Sequence, residues 1–176
     1  MKFSSPVQFR VAALLSHSGD SWLWCGVLFL FWLFAEGSIQ NNLAYWGISI
    51  AVTALFIFIL KRVIHRKRPE GDWGSIYRKS DPHSFPSGHA VRAGLIVVLA
   101  GKTFGFTTII LFLIWAFLMM HSRVITGVHY LLDIYFGFIF GIIIGILWVV
   151  LQPWLLDTFP ILFNRDLWWS FLGFSG

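Results

Sequence analysis

Three short polar clusters interrupt strongly apolar sequence, and together they could bind and cleave a phosphate ester. They are Lys61-x6-Arg68-Pro69, Pro86-Ser87-Gly88-His89, and Ser122-Arg123-x5-His129-x3-Asp133. The set supplies cations for an oxyanion, two imidazoles for nucleophilic and acid–base chemistry, and a carboxylate that could orient an imidazole. Ionisable groups close to a bilayer are energetically expensive, so their presence indicates a functional site.

The first cluster follows an apolar segment and is rich in positive charge. Lys61 offers a compact charge and Arg68 a planar fork for phosphate oxygens, and Pro69 ends the helix. The alternative is a basic helix end that is attracted to lipid head groups, and it is the favoured interpretation of this cluster taken alone.

The second cluster predicts a turn that leads into a helix, where unpaired backbone N–H groups favour an anion. Ser87 adds a hydroxyl donor, and Gly88 permits close approach of the backbone to a phosphate. His89 is a candidate general acid because imidazole titrates near neutral pH. An N-cap serine followed by an ordinary interfacial histidine explains the same tetrapeptide equally well.

The third cluster is the most specific of the three. If residues 129–133 are helical, His129 and Asp133 lie four residues apart on one face. Asp133 would then accept a proton from one imidazole nitrogen and leave the other free as a nucleophile. Arg123 would bind phosphate oxygens. The alternatives are a structural His–Asp pair or a metal half-site, and we predict no metal because no cysteine or further carboxylate completes a ligand shell.

The elements that must position these clusters are membrane helices. Of 176 residues, 57% are hydrophobic and 12% charged, which excludes a disordered chain and argues against a soluble domain. Five apolar segments are predicted to cross the bilayer, at residues 22–35, 43–60, 90–100, 104–120 and 130–151. The predicted fold class is therefore all-α, a polytopic transmembrane helical bundle of about five spans in one membrane-embedded domain, residues 1–176.

The two ends of the chain are predicted to lie at the membrane surface. Residues 1–19 form an amphipathic segment, and residues 154–174 form an aromatic interfacial anchor, with a further helix packed in the bundle as the alternative. Gly137, Gly141 and Gly145 recur every four residues, which predicts the close approach of another helix of the same chain. Five crossings would bring all three polar clusters to one face of the membrane.

The clusters resemble the signature of the type-2 phosphatidic acid phosphatase superfamily, K-x6-RP, PSGH and SR-x5-H-x3-D. Every position of that signature matches, and the resemblance covers residues 43–151. It implies a metal-independent membrane phosphatase that needs no cofactor and passes through a phosphohistidine. The implied catalytic residues are His129 as nucleophile, Asp133 as its orienting partner and His89 as general acid. The implied phosphate-binding residues are Lys61, Arg68, Ser87, Gly88 and Arg123.

The resemblance implies a phosphorylated lipid as substrate and the bilayer as partner, and no nucleic-acid partner is expected. An isoprenoid diphosphate, phosphatidylglycerophosphate, phosphatidate and a lipid A phosphate all remain open, as does the oligomeric state. The run 84–93, with Arg92 one turn beyond His89, is similar to the isoprenoid-diphosphate phosphatase branch. Residues 77–79 are candidates for a substrate entrance. The alternative function is a non-catalytic anionic-lipid binder or transporter, which would have little need of the two histidines.

Charge and resemblance disagree about which side of the membrane the site faces. All but two of the 13 Lys and Arg residues, Lys102 and Arg165, fall on the side of the clusters. The positive-inside rule would place that face in the cytoplasm. The resemblance implies the outer, periplasmic or extracellular face of a bacterial-type cell membrane. We predict the outward orientation, because several of these basic residues are candidates for phosphate binding.

Overall fold

A computed structural model describes residues 6–70 and 81–173 of the chain, and these residues are predominantly helical. The substrate-entrance prediction for residues 77–79 lies outside the described residues. The helices are α1 (Pro6–His17), α2 (Ser21–Phe34), α3 (Gly37–Ile64), α4 (Gly88–Phe104), α5 (Phe106–Ile125), α6 (Leu131–Thr158) and α7 (Arg165–Phe171), with a 3-10 turn at Pro160–Leu162.

The all-α transmembrane fold class is confirmed. Helices α3, α5 and α6 are long and apolar enough to cross a membrane, and α2 is a shorter apolar helix. Large apolar side chains such as Phe117 and Leu147 are exposed on the outside of the bundle, where a bilayer would cover them. The other two predicted crossings, at residues 22–35 and 90–100, correspond to α2 and α4 and stay predictions.

Helix α4 lies at the centre of the bundle, which explains its weak apolar signal. Nearly every residue from His89 to Ala100 is buried, and α4 packs against α3, α5 and α6. A helix that is surrounded by protein has no lipid-facing surface to fill with large apolar side chains. Its sequence can therefore carry small residues and a buried arginine, Arg92.

Helices α4 and α6 cross with their backbones nearly in contact. A Cβ atom added to Gly141 would lie 2.0 Å from the carbonyl oxygen of Val91, and one added to Gly94 would lie 2.4 Å from that of Phe138. No other residue fits at such a distance. The prediction that the glycine stripe serves packing within the chain is confirmed.

The helix bounds differ most from the predicted segments in α3, which extends beyond 43–60 at both ends, and in α6, which extends beyond 151. Helix α6 continues through Pro153 to Thr158, so residues 154–158 belong to it and not to the predicted surface anchor. In apolar surroundings a helix is the simplest way to satisfy the backbone, and this favours continuation past the proline. The chain then returns, and Phe163 is buried against Tyr45 while Arg165 bonds to the Leu33 carbonyl.

The three polar clusters meet at the other end of the bundle, as predicted. The backbone N–H of Ser87 donates to the Asp133 carbonyl at 3.1 Å, and that of Ser84 donates to the Arg66 carbonyl at 2.8 Å. Helix α1 packs against α5 and brings the 18–20 turn to the same end. The helices therefore place residues from four separate stretches of sequence around one volume.

Candidate active site

A cavity of about 250 Å³ opens among α3, α4 and the loops at this end of the bundle. Its polar wall is formed by Lys61, Arg68, Asp81, His89, Arg92, Arg123 and His129. Its apolar wall is formed by Ile50, Thr53, Ala54, Ile57, Phe58, Val91 and Leu95. From Lys61 to Ile50 the wall follows α3 for about 16 Å. The cavity is therefore amphipathic, with its charged end at the helix termini and its apolar end inside the bundle.

His129 lies in the loop between α5 and α6. Residues 129–133 are therefore not all helical, although the predicted pairing of His129 with Asp133 relied on a helix. Helix α6 begins only at Leu131, with Tyr130 as its N-cap. Asp133 folds back to accept from the Tyr130 N–H at 2.9 Å, and this brings its Oδ2 atom within 3.6 Å of His129 Nδ1. That distance is too long for a hydrogen bond but short enough for electrostatic pairing. The imidazole and carboxylate face each other as predicted, by a different local structure.

The contacts of His129 identify which of its nitrogens could attack. Nη1 of Arg68 lies 3.2 Å from Nε2 of His129. Because a guanidinium can only donate, Nε2 must accept and hold a lone pair, and the proton of the neutral ring is then on Nδ1, facing Asp133. Burial lowers the pKa of His129 to about 3; the Asp133 carboxylate opposes this shift, and the charges of Arg123 and Arg68 reinforce it. The ring is therefore neutral near pH 7, with the lone pair on Nε2.

Asp133 is completely buried and has a second charged partner that the sequence did not indicate. Nη1 of Arg66 donates to its Oδ1 atom at 2.6 Å. The Arg66 guanidinium also lies over the Tyr130 ring, 4.7 Å from its centroid. Arg66 thus neutralises the carboxylate and fixes its orientation toward His129.

Lys61 and Arg68 converge on one carboxylate oxygen. Oδ2 of Asp81 accepts from Lys61 Nζ at 2.5 Å and from Arg68 Nη2 at 2.8 Å. Arg68 is further fixed by bonds to the carbonyl oxygens of Asp81 and Val128. Two buried cations that share one oxyanion in this way have a spacing suited to a phosphate oxygen.

Arg123, Ser87 and Gly88 complete the predicted phosphate-binding set. Arg123, in the last turn of α5, is 1% exposed, and its Nη1 donates to Ser16 Oγ at 2.5 Å. Ser87 is the N-cap of α4, as its motif predicts, and its Oγ is buried with no hydrogen-bond partner within residues 6–70 and 81–173. A Cβ at Gly88 would meet only an Ile57 methyl, at 3.8 Å, so the first turn of α4 is open toward the cavity.

His89, the second residue of α4, is paired with a carboxylate from the distant N-terminal part of the chain. Its Nε2 atom lies 2.8 Å from Oδ1 of Asp20, whose Oδ2 lies 2.9 Å from His17 Nδ1. Burial raises the pKa of Asp20, but the hydrogen bonds from His89 and His17 outweigh burial and lower this pKa to about 2. Asp20 is therefore an anion at neutral pH.

The predicted residues are thus found together, but three of their charged partners were missed. Lys61, Arg68, Gly88, His89, Arg123 and His129 line the cavity, and Ser87 and Asp133 lie directly behind it. Sequence reasoning treated Asp20 and Asp81 as loop residues and Arg66 as one charge of a basic run. One available signal was the polar run at residues 16–21 between two apolar segments; nothing in the spacing distinguished the other two. In the described part of the chain, no group of three or more His, Cys, Asp or Glu is arranged to hold a metal ion.

The chain matches the PAP2 superfamily over residues 42–157. It is 29% identical over 170 residues to lipid A 1-diphosphate synthase of Escherichia coli K12, covering 86% of this chain and 70% of that protein. Two crystal structures have the same fold. LpxE of Aquifex aeolicus aligns with a TM-score of 0.65 at 22% identity, covering 83% of this chain and 87% of that one. The PAP2-type phosphatidylglycerolphosphate phosphatase of Bacillus subtilis aligns with a TM-score of 0.69 at 23% identity, covering 86% of this chain and 79% of that one.

Proposed function

Because the chain belongs to the PAP2 superfamily of membrane lipid phosphatases, we propose that it hydrolyses the terminal phosphate of a phosphorylated lipid through a phosphohistidine at His129, without metal or cofactor. The observation that carries this proposal is the pairing of two imidazoles with three cations around one cavity. His129 presents a neutral Nε2 and His89 an acid–base partner, while Lys61, Arg68 and Arg123 supply the positive charge.

In the first step, Nε2 of His129 attacks phosphorus and the bond from phosphorus to the lipid oxygen breaks. His89 gives a proton to that oxygen, so the lipid leaves as a neutral hydroxyl or a protonated phosphate. Lys61, Arg68 and Arg123, together with the N–H groups of the first turn of α4, stabilise the charge on the phosphoryl oxygens. Asp133 stabilises the positive charge that develops on the His129 ring.

In the second step, water attacks the phosphohistidine. His89, now neutral, accepts a proton from that water, and the bond from phosphorus to Nε2 breaks. Inorganic phosphate is released, with both histidines returned to their initial states. His89 thus acts as an acid in the first step and as a base in the second, and His129 is phosphorylated and then released. No external reactant besides water is needed.

The shape of the cavity supports a lipid substrate. The apolar wall along Ile50, Ala54 and Ile57 begins directly beside the charged end, so an alkyl or isoprenyl chain can remain in apolar surroundings while its phosphate reaches His129. An isoprenoid diphosphate, phosphatidylglycerophosphate, phosphatidate and a lipid A phosphate each join a phosphate to one or more apolar chains. We propose that the site faces outward, to the periplasm or exterior of a bacterial-type cell membrane.

The test is phosphate release by purified protein in detergent from a panel of these four lipids. We expect His129→Ala to abolish release from every lipid that the wild type hydrolyses. His121→Ala, an exposed histidine on α5, is the matched control and should retain full activity. Turnover that persists in His129→Ala would refute the mechanism. Saturable lipid binding by a wild type without turnover would favour the non-catalytic binder, and loss of activity in a chelator would refute metal independence.

A second candidate function is phosphoryl transfer to a lipid phosphate, which the similarity to a diphosphate synthase favours. The first step would be the same, but an oxygen of an acceptor lipid phosphate would replace water in the second. Adding lipid A to the reaction distinguishes the two. Hydrolysis gives inorganic phosphate and no new lipid diphosphate, whereas transfer gives a lipid diphosphate at the expense of inorganic phosphate.

A further inference from the structure

The turn between α1 and α2 is held against the first turns of α4 by several side-chain hydrogen bonds and a close backbone contact. Arg92 donates from its two terminal nitrogens to the Gly19 carbonyl and to Ser21 Oγ. A Cβ at Gly19 would lie 2.9 Å from Cδ2 of His89, so this backbone rests against the imidazole. Asp20, between these two anchor points, has its carboxylate on His89 Nε2.

We infer that Asp20 is a positioning residue for the reaction proposed above, and that it holds the Nε2–H of His89 so that Nδ1 is the nitrogen that gives and takes the proton. The inference rests on the proposed function, since it assigns a role within that reaction. A carboxylate can only accept, so a short contact to Nε2 requires a proton there. In the protonated ring Nδ1 carries the second, transferable proton; after transfer, Nδ1 holds the lone pair that activates water.

Asp20 is well placed to fix this arrangement because both of its oxygens have donors. Oδ2 is held by His17 while Oδ1 faces His89, so the carboxylate plane cannot turn away. Asp20 and His89 are 7% and 8% exposed, and a buried anion beside an imidazole favours its protonated form more strongly than one in water.

This stabilisation is needed because burial, and then the positive charges of Arg123 and Arg92, disfavour the protonated ring of His89. Among the described residues, the charged and titratable groups that line the cavity with His89 are Lys61, Arg68, Asp81, Arg92, Arg123 and His129, and Asp20 and His17 lie behind its Nε2 atom. Asp81 is already bound to Lys61 and Arg68. Within residues 6–70 and 81–173, Asp20 is thus the carboxylate that bonds to the ring, and it counteracts burial and the charges of Arg123 and Arg92.

The two histidines then form two oppositely oriented pairs with carboxylates. Asp133 faces Nδ1 of His129 and leaves Nε2 for phosphorus, whereas Asp20 binds Nε2 of His89 and leaves Nδ1 for the proton. Asp20 lies outside the residues that match the family, 42–157. On this inference the N-terminal segment contributes a residue to the site.

The test compares Asp20→Asn, Asp20→Glu and Ser18→Ala on the lipid of the panel that is hydrolysed fastest. Asn keeps the size of Asp but removes the charge, and Glu restores the charge. Ser18→Ala is the matched control for docking, because it removes the bond from Trp115 Nε1 to Ser18 Oγ in the same turn without touching His89. Thermal unfolding in detergent establishes that each variant is folded.

We expect Asp20→Asn to lower kcat about ten- to a hundredfold at pH 8, part of the contribution of a general acid. We also expect the alkaline limb of its pH–rate profile to move to lower pH by about one unit, because the protonated ring has lost its anion. Asp20→Glu should return the limb toward the wild-type position, and Ser18→Ala should leave it in place. A uniform loss across pH in Asp20→Asn, or the same shift in Ser18→Ala, would reduce Asp20 to a structural anchor.

The leaving group provides a second, independent readout. With p-nitrophenyl phosphate the departing oxygen needs no proton, so Asp20→Asn should slow the first step, followed as the burst of p-nitrophenol, much less than it slows the first step with a lipid alkyl phosphate. An equal slowing of the first step on both substrates would overturn the inference. Failure of the proposed function would be recognised by a different result. It would appear as unchanged turnover in His129→Ala, whatever the Asp20 variants show.

Discussion

Each histidine of the site has one nitrogen assigned by its neighbours, and this assignment determines the chemistry available to it. For His129 the decisive contact is with Arg68, whose Nη1 donates to Nε2. A phosphate that binds Arg68 would draw this guanidinium toward its own oxygens and uncover the lone pair next to phosphorus. One residue would then couple phosphate binding to exposure of the nucleophile.

The low pKa of His129 predicts how stability depends on pH. Its ordinary value is 6.5, and burial lowers the folded-state pKa to about 3. Between these values the unfolded chain binds a proton at His129 that the folded chain does not, so the contribution of His129 to stability is complete above pH 6.5 and is lost as pH falls toward 3. Asp20, with its pKa lowered from 3.8 to about 2, adds a further loss only below about pH 4.

We therefore expect the unfolding midpoint of the wild type in detergent to fall steadily from pH 6.5 to pH 4. His129→Asn, which cannot titrate, should show a flatter dependence over this range. The measurement is thermal unfolding followed by circular dichroism at matched ionic strength. Equal slopes for the wild type and His129→Asn would mean that the buried imidazole is not the group responsible.

At the scale of elements, the geometry of the site depends on the crossing of α4 with α6. Helix α4 carries Ser87, Gly88 and His89, and α6 carries Asp133 in its first turn, with the Ser87 N–H bonded to the Asp133 carbonyl. The close approach at Gly141 lies two turns further along α6. Any separation of the helices there would also move the two histidines apart.

Gly141→Ala should accordingly destabilise the protein, because its Cβ would lie 2.0 Å from the Val91 carbonyl oxygen. Overpacking of this kind costs about 1–3 kcal/mol, and backbone atoms cannot move aside as a side chain can. The control is Gly47→Ala in α3, where nothing lies within 4 Å of the added Cβ and alanine favours the helix. Unfolding midpoints in detergent should fall for Gly141→Ala and stay level or rise for Gly47→Ala; the reverse order would show that the helices do not cross as described.

The elements and the motif residues were predictable from sequence because their signals are local. Apolar runs of membrane length indicate helices, and fixed spacings such as PSGH tie several functional residues to one turn. The partners of those residues carry no such signal. Asp20 is 69 positions from His89, and Arg66 is 67 from Asp133. Only the packing of α1 against α5 and of the 65–70 loop over α6 brings them together, and no periodicity encodes that packing.

At the scale of the whole molecule, the concentration of Lys and Arg at one end of the bundle has an explanation other than membrane topology. Lys61, Arg68, Arg92 and Arg123 are each at most 9% exposed and line the cavity, and Arg66 is paired with Asp133. Much of the positive charge at this end therefore lines the proposed phosphate-binding cavity or belongs to buried ion pairs. The positive-inside rule concerns basic residues in short flanking loops, so its weight here is smaller than the raw count suggests.

An outward-facing site makes a direct prediction for two surface positions at opposite ends of the bundle. Glu70 is exposed beside the site, and Asp166 is exposed in α7. In a Cys25→Ala background, which removes the chain's one cysteine, we expect Glu70→Cys to react with a membrane-impermeant maleimide in intact cells. Asp166→Cys should react only after permeabilisation. The opposite pattern would place the active face in the cytoplasm, and labelling of both positions in intact cells would contradict an odd number of crossings between them.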